Sequence, residues 1–276
     1  MPVLLLYLSQ LLGWTYTILW SLSFYPQPIL NFQRLSTAGT TIDFSLLNIL
    51  GYISYLIYNT TFYYSEQVRS EYALQNDGLM PTVQLNDIAY AAHALILSVI
   101  TYSQFRLSSW WGFEDSKRTL GARHSKVAWI TFAACLMSVT AVAVLVLVRH
   151  ITDALHRWEV IDIIYTISYV KLATTLFKYI PQVRINYLNS STKGFSVVQI
   201  LFDLAGGIAS ILQLMIDSFY EGDWSGVTGN PAKLLLGNIT IFFDIIFLIQ
   251  HYFLYRNEDC HATDSLEPLL EDWQDV

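Results

Sequence analysis

The chain is predicted to be an all-α polytopic membrane protein: seven transmembrane helices, arranged as two parallel three-helix repeats joined by a linker helix. Three observations predict this. Of the 276 residues, 54% are hydrophobic and 13% charged, whereas a soluble domain carries about 25% charged residues. Seven apolar stretches have the length of about 20 helical residues that a hydrocarbon core about 30 Å thick requires. A polar signature near the end of the first stretch returns 155 residues later, so the chain reads as a duplication. Soluble enzymes, nucleic-acid binders and disordered scaffolds do not fit this composition.

The first span, 3–25, has no charge; lacking a basic leader and being longer than a signal-peptide core, it is read as a retained helix. Span two covers 44–64. Span three, 85–105, contains Asp87 and His93, while span four, 127–148, is wholly uncharged. Span five, 158–180, carries Glu159, Asp162, Lys171 and Lys178; span six, 195–219, Asp203 and Asp217; span seven, 234–255, Asp244 and His251. The expected organisation is a first repeat over 1–105, then a cytosolic loop, linker helix and luminal loop over 106–157. A second repeat follows over 158–256, and an acidic cytosolic tail over 257–276. That tail holds seven of the 22 acids, so the net charge of −7 describes the tail and not a binding surface. Cys135 and Cys260 supply neither a disulfide framework nor a zinc set, and no metal or cofactor is expected.

Lys and Arg are retained on the cytoplasmic side of membrane proteins. A cytosolic C-terminus places nine cations there, including Arg34, Arg106, Lys126, Arg184 and Lys193, against four on the opposite face, and an odd span number then makes the N-terminus luminal. Among the sequons, only Asn59-Thr60-Thr61 falls near a luminal end and is open to glycosylation.

At the offset of 155, Pro26-Gln27 meets Pro181-Gln182, Asn31 meets Asn186, Gly39 meets Gly194, Asn48 meets Asp203 and Gly51 meets Gly206. The offset spans four helices, an even number, so both copies enter the membrane in the same sense. A proline frees the carbonyl four residues before it, here Leu22 and Phe177. The adjoining Gln27 and Gln182 are expected to serve those carbonyls, making two hinges for alternating access.

Ionisable residues within a span cost about 2.5 to 3.5 kcal/mol each on insertion scales and face cavities or partners. Asp203, followed by Gly206-Gly207 where a helix can approach closely, and Asp244 are the deepest acids; Asp87 lies near one end of span three. Lys171 and Lys178 are seven apart, on one helix face, positioned to grip carboxylates. Tyr179 adjoins Lys178 at the hinge. His93 is expected to bond across helices, with a proton relay as the alternative. No Ser-His-Asp order, phosphate loop or metal-ligand spacing points to an enzyme.

Ser23-Phe24-Tyr25-Pro26-Gln27 and Lys178-Tyr179-Ile180-Pro181-Gln182 resemble the paired signatures of the PQ-loop transporters. Within that superfamily the chain is similar to the cystinosins, through Gly13-Trp14, the run 42–48, Leu85-Asn86-Asp87, the run 168–173, the run 202–207, Gly229-Asn230-Pro231, Phe243-Asp244 and Ile249-Gln250-His251. The resemblance covers about residues 12 to 256. It implies a lysosomal or vacuolar transporter that exports cystine to the cytosol with protons. Its substrate contacts would be Asn48, Lys171, Lys178, Tyr179, Asn186 and Asp203, and its proton-linked acids Asp87, Asp203 and Asp244. Three features depart from the family pattern: no long luminal segment precedes span one, Gln199 replaces an Asn, and the tail lacks a tyrosine-based sorting signal. In place of that signal, 264–270 approximates an acidic dileucine motif for sorting adaptors.

Two other functions compete. A PQ-loop carrier of cationic amino acids is disfavoured because Lys171 and Lys178 would repel such a substrate. A membrane receptor or scaffold for nutrient signalling would use the acidic tail, and would move no substrate.

Overall fold

The structure is a computed structural model and describes residues 2–76, 78, 80, 81, 83, 85–113, 120–152, 158–221 and 231–255. Among these residues the chain is helical throughout, without strands. Helix α1 (Pro2–Leu22) breaks before α2 (Pro26–Arg34); α3 (Ile42–Tyr64), α4 (Glu66–Gln75) and α5 (Leu85–Arg106) complete the first half. A 3-10 turn (Leu120–Ala122) leads into α6 (Lys126–Thr152). The second half repeats the plan: α7 (Val160–Phe177) and α8 (Tyr179–Leu188), then α9 (Val197–Glu221) and α10 (Pro231–Ile249), ending in a π turn (Gln250–Leu254).

Among the described residues, five helical stretches are both long and apolar enough to cross a membrane: Asp87–Arg106, Lys126–Val148, Val160–Leu188, Val197–Ile216 and Gly237–Leu254. Helices α1 and α3, with 21 and 23 residues, have the length to cross at 1.5 Å per residue. In α3 the buried Asp43, Asn48, Ser54 and Asn59 lower the hydropathy.

The duplication extends to the backbone. Leu35 and Ser190 both adopt left-handed conformations, with φ of 48° and 44°, and Gly39 and Gly194 follow with φ of 94° and 98°. The backbone N–H of Ser36 donates to Asn31 O at 3.1 Å and that of Ser191 to Asn186 O at 3.1 Å. Packing repeats as well. α1 lies along α9, just as α3 lies along α7, and within the halves α3 packs on α5 as α9 packs on α10. Linker helix α6 rests on α7. Gly206 and Gly207 serve the close approach expected of them, since a Cβ on Gly206 would lie 2.6 Å from the Trp20 ring of α1 and one on Gly207 3.1 Å from Ile241 of α10.

Three sequence expectations change. The prolines do not end their spans. Pro26 is the first residue of α2, where its missing N–H has no helical acceptor to lose, and nine- and ten-residue helices continue beyond the breaks. Helix α4 is an addition, started by Ser65, whose hydroxyl accepts from Val68 N. It packs Val68 and Tyr72 with Phe62 of α3 and Ile161 and Ile164 of α7. Its Glu71 carboxylate accepts from Ile161 N at 2.8 Å, capping α7. Asn59, finally, is 2% exposed inside α3, so the sequon is closed to glycosylation in the folded protein. The sorting motif at 264–270 lies outside the described residues.

The segment before α6 is fastened to the start of α3 by Asp43, whose fully buried carboxylate accepts from Ser125 N at 2.9 Å and faces His124 Nδ1 at 2.9 Å. Arg106 Nη2 approaches His124 Nε2 at 2.6 Å; because guanidinium only donates, Nε2 accepts and the imidazole proton sits on Nδ1, aimed at Asp43. Replacing Asp43 by alanine strands two donors. A loss of about 2 to 4 kcal/mol follows from hydrogen bonds to a buried charged group, to be read as a lowered midpoint in thermal unfolding of the purified protein.

Candidate functional site

Each Pro-Gln glutamine reaches into the opposite half. Gln27 Nε2 donates to Gly194 O at 2.8 Å while its Oε1 accepts from Ser196 N at 2.8 Å. Gln182 does the same at the offset position, donating to Gly39 O at 2.9 Å and accepting from Thr41 N at 3.0 Å. This corrects the expectation that the glutamines serve the freed carbonyls of Leu22 and Phe177. The loops after α2 and α8 present unpaired amides and carbonyls to each other, and a primary amide satisfies one of each.

Behind each glutamine stands a second amide pair. Gln27 Nε2 also donates to Asn31 Oδ1, Asn31 Nδ2 to Gln104 Oε1, and Gln104 Nε2 to Pro28 O, each at 2.8 to 2.9 Å. The mirror set runs from Gln182 to Asn186 Oδ1, from Asn186 Nδ2 to Gln250 Oε1, and from Gln250 Nε2 to Val183 O, at 2.9 to 3.0 Å. Asn186, expected from the resemblance as a substrate contact, thus has its amide bonded within this protein network. Asn31, Gln182 and Asn186 are buried to 1% exposure or less, so every one of these bonds is shielded from water.

A cluster of ionisable groups lies beside the second Pro-Gln. Lys178, at the junction of α7 and α8 and 7% exposed, donates to Asn48 Oδ1 of α3 at 3.2 Å. Tyr179 is wholly buried among Phe195, Ile200 and Phe247, and its hydroxyl donates to Asp203 Oδ2 of α9 at 3.1 Å. About two turns back along α7, Lys171 places Nζ 3.5 Å above the Tyr52 ring, a cation–π contact. The charges of Lys178 and Lys171 act on Asp203, and those of Asp203 and Lys178 act on Asp244. Asp244, on α10, is wholly buried and neither carboxyl oxygen has a hydrogen-bond partner among the described residues.

Five expected residues therefore meet in one interior region with Asp244: Asn48, Lys171, Lys178, Tyr179 and Asp203. Asp87 does not join them. It stands in the first turn of α5, where its charge acts on Tyr55 and Tyr58 of α3. His93 bonds across helices, its Nε2 lying 2.8 Å from the Tyr25 hydroxyl at the α1 break. Beside Asn48 lies a small cavity of about 30 Å³, lined by Phe24, Phe44 and Gln199 and bounded by Gln27 and Gln182. Sequence reasoning missed Tyr52, whose ring offers Lys171 a place, and Gln104 and Gln250, which complete the amide sets. Their signal was present, as polar residues at matching ends of the third helix of each half.

The PQ loop repeat family matches residues 8–68 and 163–222, two segments that begin 155 residues apart. Over 268 residues the chain is 36% identical to a "Cystinosin homolog" of Caenorhabditis elegans, spanning 95% of this chain but 62% of that protein's length. To a "Cystinosin homolog" of Dictyostelium discoideum it is 39% identical over 259 residues, 94% of this chain and 85% of the relative. A "Cystine transporter" of Saccharomyces cerevisiae is 28% identical over 269 residues, 95% of this chain and 99% of the relative. Similarity at this level, running nearly end to end and carrying the duplicated motif at the same spacing, places the chain in the cystinosin family of PQ-loop proteins.

Proposed function

We propose that the chain carries cystine, together with protons, from the lumen of a lysosome or vacuole to the cytosol by alternating access, its N-terminus luminal and its C-terminus cytosolic. The observation that carries this reading is the gathering of two ammonium and two carboxyl groups, with one carboxamide and one phenol, inside a helical bundle. Each end of cystine is a zwitterion. Lys171 and Lys178 offer charge-assisted bonds to carboxylates, while Asn48 and Tyr179 add neutral donors and acceptors. The relative named a cystine transporter supports the choice of substrate.

Asp203 and Asp244 carry the coupled proton in this reading. Among the described residues none hydrogen-bonds the Asp244 carboxyl, and in this reading it exchanges its proton with whichever face of the membrane admits water. Because the two acids sense each other, they titrate as a set. Asp87 lies outside the cluster on α5 and stands as a third proton-linked acid. Asn186 acts on the substrate indirectly here, through Gln182 and the loop it holds. The breaks at Pro26 and Pro181 are the hinges about which the halves rock, and the tail meets sorting adaptors.

The deciding experiment reconstitutes the purified protein in liposomes and follows labelled cystine against an imposed pH gradient. Uptake that rises as the compartment equivalent to the lumen is acidified, and that excess arginine, lysine or glucose does not compete away, is the expected outcome. No flux at any gradient, in protein that elutes as a folded species, would favour the receptor reading. Within the same assay Pro181→Leu is expected to slow turnover several-fold while leaving the half-saturating concentration near its original value, since a restored helical hydrogen bond stiffens the hinge without touching the site.

A further inference from the structure

The geometry points to a second, uncharged half-site for the far end of cystine, built on Ser98 and Thr101 of α5 and facing the charged half-site across the molecule's internal symmetry axis. This rests on the cystine reading above. The amide sets fix the correspondence between the halves. Gln104 and Gln250 make the same two bonds, to the Asn and to the carbonyl beside the Pro-Gln, so α5 and α10 are in register at these residues. Counting six residues back from each, Ser98 corresponds to Asp244 and, three back, Thr101 to Phe247. On the other helices the offset of 155 pairs Asn48 with Asp203, Ser23 with Lys178 and Phe24 with Tyr179. Lys178, Tyr179, Asp203 and Asp244 of the second half thus each have a non-ionisable counterpart in the first.

The two regions differ in space as well as charge. In the second half, Phe247 packs with Tyr179, Phe195 and Ile200 into a filled aromatic core. Between the halves the smaller Thr101 and Ser98 leave a cavity of about 30 Å³, which they line together with Asn48, Ser45 and Gln199 and which a substrate end must widen. Ser98 Oγ and Thr101 Oγ1 give their protons to the carbonyls of Ala94 and Leu97, so their lone pairs are what they offer a ligand. Hydroxyl and carboxamide groups without net charge suit a zwitterionic amino-acid end, which is itself neutral overall. Asn48 stands at the seam, its Oδ1 held by Lys178 while its side chain borders the cavity. Cystine has two identical ends joined by a disulfide. A protein with two related but unequal half-sites can hold one end by charge and proton exchange and the other by shape and neutral hydrogen bonds. Single-ended amino acids would fill only the first.

The test measures binding of cystine and of S-methylcysteine, a one-ended probe, to the purified full chain in detergent. Unmodified protein is expected to bind cystine at least tenfold more tightly. Ser98→Leu fills the neutral half-site and is expected to weaken cystine at least tenfold while leaving S-methylcysteine within twofold; Ser98→Val, a smaller intrusion, carries the same comparison if the leucine variant does not fold. Lys178→Ala, by contrast, weakens both probes. Equal weakening of both probes by the Ser98 variants, or no effect on cystine, overturns the half-site alone. Failure of unmodified, folded protein to bind cystine overturns the transport reading and the half-site with it.

Discussion

Gly194→Val is expected to leave almost no folded protein. At φ of 98° a branched residue is strained in its own backbone, and a Cβ there would collide with Ala38 O, a backbone atom that cannot swing aside. Gly39→Val meets the same obstacle from the other side, at Lys193 O. Gln182→Leu is the graded version. It keeps the volume but strands Thr41 N, Gly39 O and Asn186 Oδ1, each a bond now made at 2.9 to 3.0 Å. A buried group left unsatisfied costs about 1 to 3 kcal/mol, so the variant is expected to unfold well below the parent temperature. Fluorescence-detected elution and thermal unfolding check both. A Gly194→Val protein that elutes and melts like the parent would mean that the two loops do not press together as described.

Asp203→Asn is expected to abolish proton-driven cystine flux, to a hundredth of the parent or less, in protein that still folds. The substitution keeps a partner for the Tyr179 hydroxyl, which lies 3.1 Å away, so the packing around Tyr179 survives. What disappears is a titrating group within the field of Lys171, Lys178 and Asp244. Asp244→Asn removes the second titrating carboxyl without breaking a hydrogen bond among the described residues, and should shift or flatten the dependence of flux on luminal pH. Lys178→Ala removes the ammonium from Asn48 and is expected to raise the half-saturating cystine concentration at least tenfold. The decisive record is flux against luminal pH. A curve for Asp203→Asn and Asp244→Asn that overlies the parent curve would sink the coupling assignment even with transport intact.

The sequence made the helices and their duplication legible because hydropathy and spacing are local properties. Pro26 and Pro181, Asn48 and Asp203, Gly39 and Gly194 could all be paired by counting. Long-range partners could not. Nothing near Gln27 in the chain announces Gly194 and Ser196 as its acceptor and donor, and the local rule that a freed carbonyl seeks the nearest amide gave the wrong partner. Helix α4 was hidden by its length of ten residues. Its signals, Ser65 as a cap and Val68 and Tyr72 four apart, are weak until α3 and α7 supply something to pack on. The contact of Lys171 with Tyr52 went unseen for another reason: among many aromatics, a single ring beside a buried ammonium is distinguishable only in three dimensions. Burial decided Asn59 as well, since a sequon shows its letters but not its exposure.

The crossed glutamines have one more consequence. Residue Gln27 grips the loop of the other half and Gln182 grips the loop of the first, so residue i meets j while its counterpart meets the counterpart of i, which is the rule of an isologous interface between identical subunits. The molecule is in this sense a dimer whose subunits share one polypeptide. In a dimer of separate chains any change is made twice, and a charged residue appears on both sides of the axis together. A fused pair escapes that constraint. Asp203 could become ionisable while Asn48 stayed neutral, and the same seam that holds the halves as equals lets one specialise in charge and the other in shape.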